Sequence, residues 1–141
     1  MSTGGLHPRE ASMFACLADT VVAPAGALPP VRRTDAVAAF GACLEAAPAT
    51  NRALLRALLY VVEAAPLLLG YGARLRRLSP GARTEALERL EAGPAGSALR
   101  PLTVLARLSY YGDAGVSRVL GYDPDAVVAR GRALRATEVR W

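Results

Sequence analysis

"NRALLRALLYVVEAA", residues 51–65, is the stretch whose reading decides the fold. Its apolar residues Leu54, Leu55, Leu58, Leu59, Val61 and Val62 wrap most of a helical circumference, and it shows no period-two alternation of a half-buried strand. A helix apolar nearly all round is either central in a bundle or a membrane span. The residues themselves exclude the span. The wider apolar window contains Arg56, Glu63 and Pro66 before it reaches Arg74, so no run approaches the roughly 20 uncharged residues a spanning helix needs. The stretch reads as the central helix of an all-α protein, capped by Thr50 and kinked or broken by Pro66, with Leu54, Leu58, Val61 and Val62 in the core.

Helical signals recur on both sides. Upstream, Pro8 opens a first helix with Phe14, Leu17, Ala18 and Val21 on one buried stripe, and "APAGALPP" (23–30) ends it. Thr34 or Asp35 caps a second, with Val37, Phe40 and Leu44 inward. Downstream, "LSPGARTEALERLEAG" (78–93) carries Ser79 as cap, Pro80 as first helical residue, an i,i+4 pair of Glu85 and Arg89, and Gly93 as stop. A fifth helix covers about 97–111. Asp113 then caps a short one with Val116, Val119 and Leu120 inward, and Asp123–Pro124 opens a last one over roughly 125–135. The expectation is a compact, irregular bundle of five to seven helices. It forms one domain, residues 1–141, with 1–7 and 136–141 as flexible or partner-bound tails.

The mean hydropathy of +0.24 is high for a soluble chain of 141 residues. With no span, it implies a very apolar core or a surface that a partner covers. The net charge of +5 invites a nucleic-acid reading, but all 17 basic residues are Arg, as a GC-rich coding bias would give. They are scattered, with local concentrations only at 74–77 and 130–140. The N-terminus has neither a basic-then-apolar leader nor a twin-arginine pair, so the expectation is a cytoplasmic protein, or export in company with a partner. Cys16 and Cys43 fall at apolar helical positions, as small buried hydrophobes or as a single disulfide.

Catalytic constellations are not legible. His7 is the only histidine; Gly70/Gly72 and Gly93/Gly96 lack the context of a phosphate loop; Asp19, Glu45 and Glu63 read as solvated or capping charges. The chain reads as non-catalytic, binding neither metal nor cofactor itself.

The aromatics gather in "LARLSYYGDAGVSRVLGYDPDA", residues 105–126. A helix ending in Tyr-Tyr, a short Asp-capped helix and Gly-Tyr-Asp resemble the helical segment before the flavin domain in long-chain (fatty) alcohol oxidases of the glucose-methanol-choline oxidoreductase superfamily. They also resemble the small helical gluconate 2-dehydrogenase subunit 3. "LHPREASMFACLADTVVAP" with its Pro-rich turn (6–30) and "RRLSPGARTEALERLE" (76–91) are similar to further segments of those proteins, in the same order. Neither the twin-arginine signal those subunits often carry nor the flavin domain of the oxidases is legible in residues 1–141.

The resemblance implies a non-catalytic accessory subunit that binds and stabilises a flavin-dependent alcohol or sugar oxidoreductase. The large partner would hold FAD in a hetero-oligomer. Tyrosine and tryptophan suit interfaces because they bury a large area yet keep a polar handle, which makes Tyr110, Tyr111, Tyr122 and Trp141 the candidate contacts. Closure of the bundle by the three tyrosines is the competing reading. The alternative functions are a stand-alone helical binder of an apolar small molecule and, less favoured, an Arg-rich nucleic-acid-binding regulator.

Overall fold

Local chemistry sets most helix starts. A computed structural model describes residues 5–137 of the chain. It contains seven helices: α1 Pro8–Val22, α2 Ala36–Ala46, α3 Ala49–Leu68, α4 Pro80–Ala92, α5 Gly96–Tyr111, α6 Ala114–Val119 and α7 Pro124–Thr137. There is no strand among the described residues, so the fold is all-α as expected. His7 and Glu10 form a reciprocal capping box at the start of α1, and the Ser79 hydroxyl accepts from the Ala82 N–H at 3.4 Å before α4. Short 3-10 turns at Val31–Arg33 and Leu75–Arg77 complete the connections.

The helix expected at the centre is not there. α1 and α5 pack on each other most extensively, and α2, α3 and α4 surround that pair. The core joins Phe14 and Leu17 of α1, Phe40 and Leu44 of α2, Leu59 and Val62 of α3, and Leu102, Ala106 and Tyr110 of α5. Phe14 and Phe40 stack face to face with centroids 3.9 Å apart. α3 buries only the face carrying Leu55, Leu59, Val62, Glu63, Ala65 and Pro66. Of its four expected core residues Val62 is buried and Leu58 half-buried, whereas Leu54 and Val61 are exposed, because no helix among the described residues covers the outer side.

Other local expectations also change. α3 begins at Ala49 after Pro48, so Thr50 lies inside its first turn, and Pro66 is carried within a helix that runs to Leu68. Before α2 it is the Thr34 hydroxyl that accepts from the Ala36 N–H, at 3.3 Å. α6 is too short to turn three apolar residues inward: Val116 is buried, while Val119 and Leu120 are exposed. Arg89 lies over the Tyr71 ring, 5.8 Å from its centroid, and makes no ion pair with Glu85 among the described residues. Residues 5–7 are part of the fold and not a loose tail, since Leu6 is buried and His7 caps α1. Cys16 and Cys43 are unpaired, and Cys43 is exposed.

Candidate functional site

The aromatic stretch forms the corner where α5, α6 and α7 meet. Tyr110 and Tyr111 are neighbours in sequence, so the helix sends their rings about 100° apart. Tyr110 is fully buried, and its hydroxyl donates to the Pro29 carbonyl at 2.7 Å. It belongs to the core and drops out of the candidate contact surface. The Tyr111 ring meets it edge-on, with centroids 5.2 Å apart, and stays 44% exposed; Tyr122 is 54% exposed. Trp141 lies outside the described residues.

Asp113 fixes the corner. Its Oδ1 accepts from the Gly115 and Val116 N–H groups at 2.8 and 3.0 Å, capping α6, while Oδ2 accepts from the Asp35 N–H at 2.9 Å. One carboxylate thus ties the starts of α2 and α6. Burial pushes this carboxyl up, but the backbone N–H groups of Asp35, Val116 and Gly115, with Arg118 nearby, outweigh it and hold it below its ordinary 3.8. Gly121, at φ +71°, reverses the chain after α6, and the Asp123 carboxylate accepts from Asp125 and Ala126 to start α7.

A depressed carboxyl stabilises the fold above its unfolded-state value, and that contribution disappears as pH falls through the folded-state value. Asp113→Ala should therefore cost about 2 kcal/mol at pH 7. The gap from wild type should close below pH 3.8. Urea midpoints at neutral and acid pH check this, and a gap that persists at low pH refutes the role of the ionised group.

Exposed apolar side chains surround the corner. Val104, Leu108 and Tyr111 form one stripe of α5 at i, i+4 and i+7; Val119 at the end of α6 and Leu120 just after it follow, then Tyr122. No described α7 side chain from Asp125 to Thr137 is buried, and Val127, Val128 and Leu134 are all exposed. The Leu108 and α7 positions were not evident from sequence, although the 104–108–111 spacing is a signal for them.

Elsewhere the chemistry is structural. His7 serves as a helix cap, and burial pushes the Cys16 thiol up, with Arg83 opposing it, which leaves it a poor nucleophile. An open cleft of about 620 Å³ is lined by Glu63, Leu67, Gly72, Ala73, Arg74, Arg76 and Arg77. Glu63, read from the sequence as a solvated or capping charge, is buried there against Arg76 and accepts from the Arg76 backbone N–H of the turn Leu75–Arg77. Among the described residues no group of three or more His, Cys, Asp or Glu converges, and no helix is long and apolar enough to cross a membrane. No family model, curated protein or solved structure matches the chain.

Proposed function

We propose that the chain is a non-catalytic accessory subunit that binds and stabilises a flavin-dependent alcohol or sugar oxidoreductase, with FAD held by that partner. The carrying observation is the corner itself: Leu108, Tyr111, Leu120 and Tyr122 are exposed apolar side chains on a backbone fixed by Asp113, and α7 follows them in the chain with no buried side chain among its described residues Asp125 to Thr137. Exposed apolar surface of this kind marks contact sites in soluble proteins. The flavoprotein identity of the partner rests on the resemblance of the same stretch to the small subunits and alcohol oxidases.

Co-expression with a flavoprotein of the glucose-methanol-choline type tests the reading. A yellow complex should co-purify. Tyr111→Ala with Tyr122→Ala should leave the free chain folded yet abolish co-purification, since a buried interface aromatic is often worth about 2 kcal/mol or more. Co-purification at the wild-type level would place the contact elsewhere, and failure of the wild-type chain to bind would remove the proposal.

A further inference from the structure

The outer face of α3 is a separate apolar surface on the described chain. Leu54, Ala57, Val61, Ala64 and Leu68 recur at spacings of three, four, three and four residues, which aligns them along one side of the helix. All five are exposed, Leu68 at 91%, and Tyr60 and Leu67 run beside them. Two charges fall between Ala53 and Leu68, and both turn away from this face. Arg56 reaches back, its Nη2 donating to the Gly5 carbonyl at 2.9 Å and its Nε 3.7 Å from Glu10. Glu63 is buried against Arg76.

We infer that this seam joins two copies of the chain, paired antiparallel through α3 about a two-fold axis at Val61. The order of side chains selects a second copy as the occupant. Leu-Ala-Val-Ala-Leu reads the same in both directions from Val61, so the partner helix presents Leu68 to Leu54, Ala64 to Ala57, and Val61 to itself. A two-fold interface demands that self-complementarity. The sizes suit a crossing of two helices: alanines next to the axis let the backbones approach, and leucines at the ends fill the gap that opens as the helices diverge. This surface is distinct from the aromatic corner, so the inference stands or falls apart from the proposed function.

Sedimentation velocity of the full chain, over a wide range of micromolar concentrations, is the test. The expected result is a species of twice the 14.7 kDa monomer mass. Val61→Glu sets two carboxylates on the axis and should weaken the dimer by about 100-fold or more, with helical circular dichroism unchanged. If that variant unfolds, Leu68→Ser at the most exposed position gives the same readout. Val61→Cys, in a Cys16→Ser and Cys43→Ser background, should form a covalent dimer with oxidised glutathione, because the axis brings the two thiols together. A chain that is monomeric at every concentration overturns the inference, as does a dimer indifferent to the substitutions. A monomer that needs this face to hold the flavoprotein overturns it as well.

Discussion

Tyr110→Ala should cost about 3–5 kcal/mol of folding stability, the range for removing a large aromatic side chain from a packed core. The corresponding fall in Tm is roughly 10–17 °C for a domain of this size. Two losses combine. The ring shares a core with Phe14, Leu17, Phe40 and Val116 and is fully buried, so its removal leaves a cavity. Its hydroxyl also holds the proline-rich connection between α1 and α2 through the Pro29 carbonyl, and Asp19 holds the same segment two residues on by accepting from the Val31 N–H at 2.9 Å. Tyr110→Phe keeps the ring and should lose only about 1–2 kcal/mol. Tyr111→Ala should cost about 1 kcal/mol or less, because that ring is 44% exposed and contributes mainly an edge contact. Chemical denaturation of the three variants checks the order. Equal losses at Tyr110 and Tyr111 would mean the corner is packed differently.

The contrast between these neighbouring tyrosines shows where sequence stops being informative. Helix starts were legible because their determinants are local: Pro8, Ser79–Pro80, Asp113 and Asp123–Pro124 each act within three residues. The side of a helix that meets the core is not local. On α3 two parallel stripes are apolar, Leu55–Leu59–Val62 and Leu54–Val61–Leu68, and only the positions of α1, α2 and α5 decide that the first is buried. The same holds at α6, where a helix of six residues has one inward position, taken by Val116. The candidate contact residues were therefore legible as a cluster but not as inward and outward members. The role of Glu63, open between a solvated and a capping charge, stayed unresolved for a related reason. A charge on an apolar helix reads as solvated or capping unless its partner is visible, and Arg76 lies thirteen residues away across a turn, beyond any i,i+4 rule.

That pair carries the other large effect. Glu63 is almost fully buried, with Oε1 accepting from Arg76 Nε at 2.8 Å and Oε2 from the Arg76 backbone N–H at 3.4 Å. Arg76 also donates to the Ser12 hydroxyl at 3.1 Å, and Arg83 donates to the Leu75 and Arg76 carbonyls at 3.1 and 2.8 Å. The turn Leu75–Arg77 is thereby fastened to α1, α3 and α4, with Leu75 buried beneath it. The two partners are unequally exposed: the Arg76 side chain keeps 29% of its surface in water, and Glu63 keeps 5%. Arg76→Met should therefore be the damaging change, costing about 3 kcal/mol, because it strands a buried carboxylate without its guanidinium. Glu63→Met should cost about 1 kcal/mol, since the freed guanidinium can rehydrate and keeps Ser12. The double substitution should be less harmful than Arg76→Met alone, as apolar replacement of a buried pair often is. A double-mutant cycle by urea denaturation measures all three. If Glu63→Met proves as costly as Arg76→Met, or the double substitution is the worst of the three, the turn is held by packing around Leu75 and not by the ion pair.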